Sequence, residues 1–228
     1  MSIDFKGSHY PKDVILYAVF FYVRYAVSYR DLEEILAERG VQIDHATLNR
    51  WVVKYSTDIA KAAQTRKQET AGSWRMGETY IKVKGKWMHL YRAVDKYGKT
   101  LDFMLSWRRD KAAVRRFFRH AIKANGVSKR IVIDKSGANL AGLLRINVGL
   151  KFSRSHRQIE ILRGKYLNNI VKQDHRFIKK ITRPALGFKA FHSAAATLAG
   201  IEVAHMIRKK QFQSNCISPF KQFASLAA

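Results

Sequence analysis

The sequence predicts an α/β domain, a mixed sheet with flanking helices, preceded by an all-α region. Three observations predict it. Up to about residue 60, apolar residues recur at helical spacing. Between about 79 and 107 the pattern changes to runs rich in Tyr, Val, Ile and Trp, broken by turns that contain glycine. From residue 110 onward, helical stretches alternate with short apolar runs, an order in which helices cover a sheet.

The first region reads as three helices. One covers about Lys12–Arg24. Ser28 and Asp31 form a capping-box-like pair that opens a second helix over Tyr29–Arg39, with Leu32, Ile35 and Leu36 at helical spacing. Gly40 ends it, because glycine accepts the left-handed conformation found there. A third helix starts at Asp44 or His45 and runs to about Tyr55, with Leu48, Trp51, Val52 and Tyr55 on one face. Two short helices joined by a tight turn make a helix-turn-helix, whose second helix enters the DNA major groove. Thr47, Asn49, Arg50 and Lys54 lie off the apolar face. Asn49 and Arg50 are types that reach base edges, and Lys54 suits a phosphate. A plain three-helix bundle with a solvated polar face is the competing reading of this segment.

The second region opens with strands at Thr79–Val83, Trp87–Val94 and Thr100–Trp107. Lys84-Gly85-Lys86 and Asp95–Lys99 form the turns between them. Asp110–Lys123 is helical, with Ala113, Val114, Phe117, Phe118 and Ile122 inward. Arg130–Ile133 is a short strand that ends at Asp134. A helix at about Ala138–Ile146, a short strand at Leu150–Ser153, a helix over Gly164–Thr182 stopped by Pro184, and a long helix at Phe188–Lys209 complete the order. This order resembles the ribonuclease H-like fold. The chain divides into a helix-turn-helix region (1–60), a polar linker (61–75), the α/β domain (76–210) and a tail (211–228).

Charge points to the partner. The chain carries 43 Lys+Arg against 17 Asp+Glu, a net charge of +26. Residues 1–70 hold 10 basic and 9 acidic side chains, and residues 71–228 hold 33 and 8. Such a field attracts polyanions, nucleic acid first and an anionic membrane surface second. The apolar run Val14–Val27 is shorter than the ~20 residues of a spanning helix and is interrupted by Arg24. It reads as a buried helix, with no membrane partner. Cys216 is the only cysteine. It permits no intrachain disulfide and no Cys-rich zinc site, which fits a reducing, cytoplasmic compartment.

Long motifs carry a family resemblance. GETYIKVKGKWMHLYRAVDKYGKTLDFMLSWRRD, from Gly77 to Asp110, resembles the start of the catalytic domain of the insertion-sequence-six family of bacterial transposases. IVIDK at Ile131–Lys135 is similar to that family's second motif. KYLNNIVKQDHRFIKK at Lys165–Lys180, followed by RPALGFKAF and TLAGIEVAHMIRK, is similar to its third. DHATLNRW matches its helix-turn-helix. The resemblance implies an enzyme that binds the terminal inverted repeats of a mobile element and cleaves and joins DNA strands at its ends. Three acids would hold two divalent metals, usually Mg²⁺, one activating the attacking oxygen and one stabilising the leaving oxygen. Double-stranded DNA of element ends and target is the implied partner, with assembly as a homodimer or a mixed oligomer with intact copies.

The acid positions carry the main departure. The family's first Asp is matched here by Gly77, its second by Asp134 and its Glu by Lys172. Asp134 is thus the one retained catalytic and metal-binding acid. Glu78 points to the other face of its strand. Asp174 lies roughly 200° around the helix from Lys172. Glu160 is twelve residues before Lys172. None is a good replacement. Two unit charges ~4 Å apart interact by about 4 kcal/mol at a protein-surface dielectric, so an ammonium at 172 opposes a divalent cation. The expectation is a transposase impaired in catalysis. The alternative is a non-catalytic DNA-binding relic or an inhibitor of intact copies. Lys172, Arg176, Lys179 and Arg183 form a basic stripe, joined by Lys165 and Lys180, that would grip phosphates. His175 would lie near the pocket, with no strong case as a metal ligand. Trp74, Trp87 and Trp107 read as core residues rather than base-stacking platforms.

Overall fold

The computed structural model describes residues 3–5, 8–152, 157–164, 168–213 and 218–228. The chain forms two compact units. One comprises Met1–Gln68, Val83–Gly85 and Phe177–Ala228, the other Glu69–Lys82 and Lys86–Arg176.

The helical unit starts with α1 (Lys12–Arg24), α2 (Tyr29–Ala37) and α3 (His45–Arg66). Ser28 and Asp31 make both bonds of the capping box at α2. Gly40 takes the left-handed conformation after it, with φ 76°. Asp44 caps α3 by accepting from the Thr47 N–H at 2.9 Å. α3 does not stop near Tyr55. It continues through Ile59 and Ala63, both buried, to Arg66, so the first third of the expected linker is helix. α7 (Phe191–Arg208) is buried almost all round and packs on α3 and α1. A Cβ at Gly200 would stand 2.6 Å from the Ser56 Oγ and 2.8 Å from Val23, so glycine is what permits this closeness. The expected tail contains a further helix, α8 (Pro219–Ser225), whose Phe223 ring lies 5.4 Å from Phe20. The helical unit thus takes in chain far beyond residue 60. Lys165 and Cys216 lie outside the described residues, as does Ser153 at the end of the expected fifth strand.

The second unit is built on a five-stranded sheet in the order β3-β2-β1-β4-β5. β1 (Ser73–Val83) turns into β2 (Lys86–Asp95) through Lys84 and Gly85. Their φ values of 49° and 75° are those of a type I′ turn, whose twist matches a hairpin. β3 (Thr100–Ser106) runs antiparallel to β2. The buried Asp95 carboxylate orders the turn between them by accepting from the Tyr97 and Lys99 N–H groups, each at 2.9 Å. β4 (Arg130–Ile133) is parallel to β1, and β5 (Glu160–Arg163) is parallel to β4. The strand expected at 150–153 is not the fifth strand. Leu150 belongs to α5 (Gly137–Lys151), and β5 comes nine residues after that helix.

α4 (Lys111–Asn125) and α5 cover one face of this sheet. Phe117, Phe118, Leu143 and Ile146 pack there with Trp74, Met76, Tyr91, Ala93, Ile131 and Ile133. Successive side chains of a strand alternate between faces, so Gly77 and Arg92 belong to the other face. The start of α6 (Asn169–Thr182) lies there, five residues later than the predicted start at Gly164, which is not helical; 165–167 fall outside the described residues. Of the three tryptophans expected in the core, only Trp74 is there. Trp87 is 63% and Trp107 52% exposed, because both stand at strand ends beyond the cover of α4.

Candidate active site

The parallel ladder between β1 and β4 fixes the two strand positions at which the family resemblance expects the first two acids. Ser73, Trp74 and Arg75 pair with Arg130, Ile131 and Val132. Continued by two residues, this register sets Gly77 beside Asp134. Met76 and Ile133 both point into the core under α4 and α5. The next residues, Gly77 and Asp134, therefore belong to the opposite face. Asp134 follows β4 and begins the turn into α5. Its Oδ1 accepts from the Ser136 N–H at 3.1 Å and from the Asn139 side-chain amide at 2.9 Å. Asn139 is buried, so this oxygen is held in place from below.

The third position comes from α6. The Asn168 amide donates to the Met76 carbonyl at 3.0 Å and ties the start of this segment to β1. Val171 and His175, one turn apart on α6, face Gly77. A Cβ at Gly77 would lie 2.9 Å from Val171 Cγ1 and 3.1 Å from His175 Cε1. The space that a side chain at 77 would need is thus taken by α6. Lys172 is exposed beside Val171. His175 is buried and serves here as packing against β1.

The neighbouring acids are engaged elsewhere. Asp174 pairs with Arg92 of β2 at 2.7 Å, with side chains 9% and 0% exposed. Glu160 pairs with Arg130 at 2.7 Å. Glu78 lies on the α4 face and pairs with Arg109, just after β3. Burial opposes the charge on Arg109, but Glu78, Tyr80 and Asp134 outweigh it and hold the guanidinium pKa above its ordinary value. Burial, reinforced by the Glu78 charge, pushes the Tyr91 phenol up to about 12. Among the described residues, no three His, Cys, Asp or Glu side chains converge as a metal site would require.

The residues expected to meet DNA are distributed as follows. Asn49, Arg50 and Lys54 are exposed on α3. Thr47 is half-buried. Its hydroxyl donates to Asp44 Oδ2 at 2.6 Å and accepts from Arg50 Nη2 at 2.6 Å, which orients the arginine. Those bonds and the backbone N–H of Thr47 hold the Asp44 carboxyl below the usual carboxylate range. Arg176, Lys179 and Lys180 are exposed on α6, and Arg183 is exposed in the 3-10 turn that follows. With Lys172, the helix therefore carries four of the expected cations outward. Sequence reasoning missed the closure of α6 over Gly77. Its only signal was the pair Val171 and His175 at helical spacing.

Residues 71–211 match a family model described as a DDE domain. The transposase for insertion sequence-like element IS431mec of Staphylococcus aureus is 37% identical over 92% of this chain and 91% of its own. The transposase for insertion sequence element IS257 in transposon Tn4003, also from Staphylococcus aureus, matches at 37% over the same shares. The catalytic core domain of BIV integrase aligns with a TM-score of 0.45 at 18% identity, over 68% of this chain and 95% of that one. The mixed sheet with α4 and α5 on one face and α6 on the other is the ribonuclease H-like arrangement expected from the element order. With the DDE-domain match over most of its length and this identity across nine-tenths of it, the chain belongs to the insertion-sequence-six family of DDE-domain transposases.

Proposed function

We propose that this transposase binds double-stranded DNA at element ends but does not by itself cleave and join strands. The observation that carries the reading is the contact of α6 with Gly77, the residue beside Asp134. The family implies a divalent metal, and a pair of Mg²⁺ ions needs several oxygen ligands at one point. Asp134 offers one carboxylate, Gly77 offers none, and its side-chain space lies 2.9 Å from Val171. The exposed Lys172 adds a positive charge beside that space. This donor set does not fit the metals, and no catalytic step is routed through them.

DNA binding is supported by the +26 charge and by the exposed face of α3. In this reading Asn49 and Arg50 meet base edges while Lys54 and the α6 cations Arg176, Lys179 and Lys180 meet phosphates. Among the described residues no helix is long and apolar enough to cross a membrane. A chain that binds ends without reacting would enter a homodimer, or a mixed oligomer with intact copies in the cytoplasm, and inhibit them. The test is cleavage and joining on a labelled element-end duplex with Mg²⁺ or Mn²⁺. Binding without product is expected. Robust product from the unaltered chain would overturn the reading.

A further inference from the structure

A second basic feature lies in the α/β unit, away from the acid positions. A cleft of about 450 Å³ runs between α4 and α5. Arg115, Arg119 and Lys123 of α4 and Arg145 of α5 line it, over a floor that includes Ile122 and Ile146. No acid is among its lining residues. None of the four cations has a carboxylate partner among the described residues, whereas Arg92, Arg109 and Arg130 all do. Four like charges that converge on one cleft repel one another, and an anion between them reverses the sign of that interaction.

We propose that this cleft holds the phosphodiester backbone of a second DNA segment. Arg115, Arg119 and Lys123 are spaced i, i+4, i+8, so each stands about 6 Å beyond the last along α4. Neighbouring phosphates of one strand, separated by about 3.4 Å of rise and turned about the duplex axis, stand roughly 6–7 Å apart, a close match for a helix laid beside the backbone. The apolar floor accepts the arginine stems and sugar edges. The partner is a separate segment because of the sheet. α4 and α5 cover the face opposite Gly77 and Asp134, so DNA in the cleft is not the strand presented to that pair. The proposal rests on the reading that the chain binds DNA.

The test compares the full chain with its R115Q/R119Q/K123Q variant. All three side chains are outward or half-buried, and circular dichroism checks that the variant folds. Affinity for a second, labelled random-sequence duplex, added to chain already saturated with an unlabelled one, is measured against KCl concentration. Losing three phosphate contacts should flatten the slope of log K on log[KCl] by about 2.7. Förster transfer between two differently labelled duplexes, brought together by the unaltered chain, should disappear in the variant while single-duplex binding remains. An unchanged slope with unchanged transfer would overturn the proposal. So would an acidic amphipathic peptide that competes for the cleft without altering DNA affinity, which would assign it to a protein partner. If the unaltered chain binds no duplex at all, the DNA-binding reading itself fails, an outcome distinct from either.

Discussion

Gly77→Ala tests the closure of α6 over β1. The new Cβ would stand 2.9 Å from Val171 Cγ1 and 3.1 Å from His175 Cε1, inside the ordinary carbon contact of about 3.5–4.0 Å. Val171 is fully buried and cannot swing into solvent. Overpacking of this kind costs about 1–3 kcal/mol, and replacing a strand glycine returns roughly 0.5–1 kcal/mol. The net expectation is a loss of about 1–2 kcal/mol, or roughly 2–8 °C in Tm for a chain of this size. Urea denaturation should show a lower midpoint with an unchanged m-value. In a Val171→Ala background the same substitution should be better tolerated, because the crowded methyls are gone. The two changes should then couple by about 1 kcal/mol or more. Additive effects, or a Gly77→Ala variant as stable as the parent, would refute the packing argument. A Gly77→Asp substitution must displace the same valine, so an acid at this position carries a folding cost.

Other outcomes follow from the same geometry. The double reversion Gly77→Asp, Lys172→Glu should restore Mg²⁺ binding by calorimetry; a flat titration would show damage beyond these two positions. Asp174→Asn breaks the buried pair with Arg92 and should cost about 3–5 kcal/mol in denaturant, while Arg92→Met with Asp174→Leu should recover most of it. Ser28→Ala removes the cap of α2 and should cost about 1 kcal/mol by thermal unfolding. The Tyr91 phenol is raised from 10.0 to about 12, so the folded state holds this proton more tightly than the unfolded state. Its contribution to stability is therefore complete below pH ~10 and is lost as pH rises towards 12. A Tyr91→Phe variant should show less alkaline destabilisation, and equal pH profiles would contradict the assignment.

What the sequence revealed depended on how local the signal was. Ser28 and Asp31 announced a capping box because both partners lie within one turn. Asp134 was placed at a strand end because Arg130–Ile133 is apolar and short. The fifth strand was misplaced because Leu150 and Phe152 resemble strand residues, whereas Leu150 completes the last turn of α5. The stop at Tyr55 overlooked Ile59 and Ala63, which continue the stripe of α3 at longer spacing among polar residues. Trp87 and Trp107 were expected inside on residue type alone, and their exposure depends on where α4 begins to cover the sheet. The contact of Val171 and His175 with Gly77 was illegible for a different reason. It depends on the helix-to-sheet distance to within a few tenths of an ångström, which no periodicity encodes.

The position of α7 bears on which changes such a gene can absorb. The segment that completes the N-terminal helical bundle is encoded late, at Phe191–Arg208, after every catalytic motif. A premature stop codon upstream of it would strip the bundle of its central rod. A substitution at a position such as 77 or 172 lies outside that rod. Only the latter route leaves the helical bundle with all its parts.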